Sequence, residues 1–190
     1  MNNEFFDDIV FENQDFTINK VTGKEFDKCV FKSCNFSNND FSSISFIDCI
    51  FESCNLSMVK LASTSLKNIR FKSCKLMGVD FSHCNDFLMS VAFDKCMLDY
   101  TFYFKKKLKK TVFNECSIKD ANFTETDLTG SEFYNCDFSN AIFYKTTLIQ
   151  TDFRTSRNYS IDPEINSIKK AKFSYPAVLG LLDKYDIQIE

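Results

Sequence analysis

Tryptophan is missing from this chain, histidine occurs once, and there are only 4 glycines and 2 prolines in 190 residues. With a single histidine, His83, any Ser/His/Asp or Cys/His catalytic site would have to converge on that one residue, so no catalytic residues are expected. No stretch approaches the roughly 18 apolar residues of a membrane span. The start, MNNEFFDDIV, lacks the basic and apolar regions of a secretion signal. A cytoplasmic location without membrane association is therefore expected. What the chain does have is 23 phenylalanines, 9 cysteines, 44% apolar and 26% charged residues, the balance of a chain that buries a core.

An odd number of cysteines without an export signal points to reduced thiols rather than a disulfide framework. The net charge of −3 is small, but it is unevenly distributed. Residues 1–30 carry −4, residues 31–110 carry +5, residues 111–153 carry −5 and residues 154–190 carry +1.

The organising feature is a period of five. An apolar residue recurs at every fifth position from Phe26 through Phe31, Phe36, Phe41, Phe46, Phe51, Leu56, Leu61, Leu66, Phe71, Leu76 and Phe81. After a slip of two residues the series resumes at Leu88. It runs through Phe93, Leu98, Tyr103, Leu108, Phe113, Ile118, Phe123, Leu128, Phe133, Phe138, Phe143, Leu148 and Phe153. Neither a helix (3.6) nor a strand (2) matches this period, so the chain must turn between successive central residues. If five residues make one side of a square coil, residues 20 apart stack at about 4.8 Å. Phe31, Phe51 and Phe71 form one such column, and Phe93, Phe113, Phe133 and Phe153 another.

The position two residues before each central residue holds Cys29, Cys34, Cys49, Cys54, Cys74, Cys96, Cys116 and Cys136, and elsewhere Val59, Val79, Ala121, Thr126, Ser131, Ala141 or Thr151. Cys84 joins this set if the first frame runs on past Phe81. These residues are small or slim, the mark of a cramped interior site, where free cysteine behaves as a small hydrophobe. Their spacings in multiples of five are not those of zinc ligands, and neither a metal nor another cofactor is expected.

Segments such as Cys34-Asn35-Phe36-Ser37, Cys54-Asn55-Leu56-Ser57, Ala121-Asn122-Phe123-Thr124 and Thr126-Asp127-Leu128-Thr129-Gly130 resemble the pentapeptide repeat, small–Asp/Asn–Leu/Phe–Ser/Thr–any. The resemblance implies an all-β solenoid, a right-handed quadrilateral β-helix over residues 26–153. Residues 1–25, with imperfect repeats at Phe11, Phe16 and Val21, would form an N-terminal cap. Residues 154–190 would form a C-terminal cap, the five-residue pattern ending at Phe153 and a short amphipathic helix presenting Val178, Leu179, Leu181 and Leu182 for homodimerisation. Size and layout are similar to the gyrase-binding Qnr, MfpA and McbG group. That likeness implies a DNA mimic that binds DNA gyrase or topoisomerase IV and protects it from a quinolone or a peptide toxin.

On that reading the partner-binding acidic face comprises Glu115, Asp120, Glu125, Asp127, Glu132, Asp137 and Asp152, and direct nucleic-acid binding is not expected. Two places should be irregular. The slip at 82–92 should bulge around His83, Asn85 and Asp86. The run of residues 100–110, with Lys105, Lys106 and Lys107, should be distorted, because Lys106 falls at an inward position where an unpaired charge is costly. The rival expectation is an interaction scaffold unrelated to DNA, favoured by the basic charge of residues 31–110.

Overall fold

The computed structural model describes residues 4–18 and 21–189. The chain winds into a four-sided coil whose sides stack in parallel. One side holds β1 (Phe5–Asp7), β3 (Glu25–Asp27), β5 (Ser45–Ile47) and β7 (Ser65–Lys67). The next holds β2 (Val10–Glu12), β4 (Val30–Lys32), β6 (Ile50–Glu52), β8 (Ile69–Lys72), β9 (Val91–Asp94), β10 (Val112–Asn114) and β11 (Glu132–Tyr134). The other two sides are joined by single bridges, such as Asn35 to Asn55 on one and Asp40 to Lys60 on the other.

Partners are 20 residues apart, as Phe31 to Phe51, except across the slip, where Phe71 pairs with Phe93. Every side is then a column of identical positions. The longest aromatic column runs Phe11, Phe31, Phe51, Phe71, Phe93, Phe113, Phe133, Phe153 and Phe173, with centroids 4.6–5.6 Å apart. Offset stacking at these separations adds to the area that each ring buries.

Most corners fall two residues after a central residue and are left-handed. Among the described residues twenty-seven non-glycine residues have positive φ, including Asn38, Ser63, Lys110 and Gln150. A side chain there is strained by about 1–2 kcal/mol, and most of the corners are tied by backbone hydrogen bonds to the next coil. Asn38 N–H donates to Ser57 O, and Lys110 N–H to Thr129 O.

All nine cysteines are free and buried. Small size is only part of their role, because each thiol except that of Cys84 has a carbonyl acceptor. Cys54 Sγ–H lies 3.3 Å from Phe31 O, and Cys116 Sγ–H 3.7 Å from Phe93 O. Where the position holds a hydroxyl, the same bond is shorter. Thr126 donates to Tyr103 O at 2.7 Å and Ser131 to Leu108 O at 2.6 Å. Burial pushes the thiols of Cys49 and Cys84 up to about 12, so both are protonated at neutral pH.

Three expectations need correction. Coiling does not stop at Phe153: Asp152 bridges to Lys172, Thr147 to Ser167, and Phe173 stacks on Phe153. The five-residue pattern is hidden there because Tyr159 fills the interior one place out of frame, while Ser156, Ile161 and Asn166 keep the inward small position and Ile168 and Phe173 the central one. The short C-terminal helix is present as two 3-10 turns, Ala177–Leu181 and Asp183–Tyr185, but it packs Leu181 on the chain's own core instead of presenting it to a second copy. Gly180 lets this cap close, since its carbonyl accepts from Ile161 N–H and an added Cβ would lie 1.9 Å from Tyr159 O. Finally, the coil of residues 100–110 is regular, with Phe102 and Lys107 bridging to Asn122 and Asp127.

Candidate protein-interaction surface

Lys106 is accommodated without distortion because the preceding slip makes room for it. After Cys84 the chain leaves the coil, and Leu88, expected inside, sits exposed at a left-handed corner. Met89 packs against the core, and Ser90 N–H rejoins the coil at Leu66 O. The column Phe26, Phe46, Leu66 is thereby interrupted before Leu108, and the Lys106 side chain is buried at the level of the break. Its ammonium donates to Cys84 O at 2.7 Å and to Asp86 Oδ1 at 2.6 Å. The lysine side chain is 4% exposed and the carboxylate 65%, so the pair latches a surface loop to the interior. Asn85 and the exposed apolar tip Phe87–Leu88 ride on this loop, with Lys67 Nζ 5.6 Å from the Phe87 ring centroid. His83 lies beside it, with Nδ1 3.1 Å from Asp80 Oδ2 on the exposed surface.

The remaining lysines of the run follow the ordinary positions of the coil. Lys105 pairs with Glu125 at 3.6 Å and lies 4.8 Å over the Phe104 ring. Lys109 pairs with Asp127 at 3.1 Å, while Lys107 points outward.

The seven acids do not share one face. With a 20-residue coil, only Glu132 and Asp152 stack, and Glu115, Asp120, Glu125, Asp127 and Asp137 fall at five other places around the four sides. A sequence segment that is acidic wraps its charge around the rod. Most of these acids also meet cations: Glu115 with Lys95, Asp137 with Lys119 and Arg157, and Asp152 with Arg154 and Lys172. The Arg154 guanidinium holds the Asp152 carboxyl below its ordinary value despite burial. For Asp127 and Asp137 burial acts upward, but hydrogen bonds from Thr129, and from Asn158 and Ser139, outweigh it and keep both low.

Sequence reasoning missed an apolar surface on the side containing Tyr103. Phe102, Asn122 and Ile142 form one outward column and Phe104, Thr124 and Tyr144 its neighbour. Phe102, Phe104, Ile142 and Tyr144 are all exposed. The signal was available: these large residues stand one place before or after a central residue, where most repeats carry Asp, Asn, Ser or Thr. Lower on the same side, the corresponding residues Asp40, Lys60 and Asp80 are charged.

At the C-terminal end, Leu181 and Ala177 pack against the chain's own core, while Val178 and Leu179 are half-buried. The apolar surface left there includes Leu182, Ile187 and Ile189, which line a shallow groove with Leu179, Asp183 and Asp186.

Among the described residues no group of three His, Cys, Asp or Glu side chains could hold a metal, and no helix is long and apolar enough to cross a membrane. Family models match over most of the chain, the pentapeptide repeat region at residues 24–103 and pentapeptide repeats, in eight copies, at residues 107–156. The chain belongs to the pentapeptide-repeat family. Two trypsin-treated variants of QnrB1, a plasmid-mediated fluoroquinolone resistance protein, superpose with a TM-score of 0.63. The first is 21% identical and covers 98% of this chain and 100% of its own, and the second is 20% identical and covers 96% and 99%. At these identities the likeness shows a shared fold. No curated protein sequence matches the chain.

Proposed function

We propose that this pentapeptide-repeat protein binds DNA gyrase, a type II topoisomerase, and protects it from a quinolone-type inhibitor. The observation that carries the reading is the end-to-end correspondence with QnrB1, a plasmid-mediated fluoroquinolone resistance protein. The latched loop and the aromatic side support a protein partner, since exposed apolar patches of this kind are contact surfaces. Two copies associate through Leu182, Ile187 and Ile189 at their C-terminal ends. The contribution of DNA mimicry is limited by the placement of the acids, which surround the rod and are partly neutralised. A supercoiling assay with purified gyrase, with and without a quinolone, tests the proposal. Protection of supercoiling by the wild-type protein is expected, and absence of any effect overturns it.

That same placement favours a second reading, an interaction scaffold whose partner is unrelated to DNA. The two separate on charge reversal: Asp120→Lys with Glu132→Lys weakens binding to gyrase if acids imitate phosphate, and leaves it unchanged for a scaffold. For the dimer, Leu182→Lys with Ile187→Lys should give a folded monomer in sedimentation. Leu181 is unsuitable for that test, because it holds the cap to its own core.

A further inference from the structure

The two ends of the solenoid are finished differently. The C-terminal end is covered by Phe173, Ala177 and Leu181. At the N-terminal end, β1 and β2 are the outer strands of their sheets. The rings of Phe6, Phe11 and Phe16 each stack on one ring of the next coil, at 5.1, 5.0 and 4.6 Å, and remain only partly buried. Phe5, Ile9, Val10 and Ile18 are exposed around them. An outer strand beside an apolar surface is a template for strand addition.

Charge and register say what fits. Residues 4–18 contain Glu4, Asp7, Asp8, Glu12 and Asp15 and no lysine or arginine. A second copy presenting the same end would set these acids against each other. The outward column that begins at Glu12 alternates in sign, Glu12, Lys32, Glu52, Lys72, Asp94, each directly paired with the next. Opposite charges across neighbouring strands stabilise pairing and like charges oppose it. The segment that already pairs with β2 is Val30-Phe31-Lys32, placing Val on Val10, Phe on Phe11 and Lys on Glu12.

We propose that the N-terminal end is a docking edge for an extended basic peptide segment of a partner protein, which adds beyond β2 with an apolar–aromatic–basic triplet. Its aromatic residue continues the Phe11–Phe31 stack and its cation lies opposite Glu12.

The test uses the full chain and a fluorescein-labelled peptide, Lys-Ser-Val-Phe-Lys-Ser-Ser, with a control in which the second Lys is Glu. Fluorescence anisotropy should show the Lys peptide binding about fivefold more tightly than the Glu peptide. The Glu12→Lys protein should invert that preference, and Glu12→Gln, which disturbs the outer strand least, should abolish it. Circular dichroism confirms that each variant keeps its fold. Equal binding of both peptides, no saturable binding, or a preference unchanged by Glu12→Lys overturns the proposal. So does self-association in sedimentation that Glu12→Lys abolishes, since a second copy would then occupy the edge.

Discussion

The two halves of the rod meet the same interior requirement with different mixtures of one chemistry: thiols predominate before the slip, where Thr64 supplies a hydroxyl, and hydroxyls are added to Cys96, Cys116 and Cys136 beyond it. Before the slip, five of the inward small positions carry Cys29, Cys34, Cys49, Cys54 and Cys74, whose thiols donate to carbonyls at 3.3–3.5 Å. Beyond it, Thr126, Ser131, Thr146, Thr151 and Ser156 donate through hydroxyls at 2.6–2.9 Å. Each donor in these two sets meets the carbonyl of the central residue 23 positions earlier, and the thiols also contact the carbonyl two residues before them. The position therefore takes a small side chain and uses its donor where it has one, Val59, Val79, Ala121 and Ala141 filling it without one. At the junction of the halves Lys106 meets the same demand with an ammonium, and there the surface loop attaches.

The largest expected effect is at that junction. Asp86→Ala leaves the Lys106 ammonium buried with Cys84 O as its remaining partner, and should cost about 3 kcal/mol in urea unfolding. Lys106→Met should cost much less, because Asp86 is exposed and regains water. If Asp86→Ala is the milder change, the latch does not hold the loop. Next in size, Thr126→Val keeps shape and removes the donor to Tyr103 O, for a loss of about 1 kcal/mol.

A third contrast is in acid. The carboxyls of Asp127, Asp137 and Asp152 are held below their ordinary value of 3.8. A folded-state value below the unfolded one contributes stability at neutral pH that is lost as pH falls through the folded values. Hydrogen exchange below about pH 4 should thus open the second half before the first, and Asp152→Asn should flatten that dependence. The smallest effect belongs to the first half. Cys74→Val should change stability by less than about 1 kcal/mol, since the thiol is a weak donor at 3.3 Å from Phe51 O. A loss equal to that of Thr126→Val would show that the two halves are held alike.

The five-residue period from Phe26 to Phe153 was enough to place the coil, its four sides and the buried cysteines. Each of these is a local consequence repeated at fixed spacing, and stacking at 20 residues only adds up what every repeat already prefers. The outward surface was less legible. Residues 111–153 read as an acidic stretch, but neighbours in sequence turn a corner every five residues, so Glu125 and Asp137 lie on different sides and meet different cations. Phe102 and Ile142, 40 residues apart, are instead brought into one column.

Composition and period by themselves determined that this chain is a solenoid with a phenylalanine-rich interior and reduced thiols. Only the tertiary structure decided the rest. It set Lys106 against Asp86 across the slip, carried the coil on to Phe173, turned Leu181 inward and left Leu182 outside. The physical reason is that burial in a solenoid is set by the coil above and the coil below. A residue's fate therefore depends on partners about 20 positions away, and an insertion of two residues changes which partners those are.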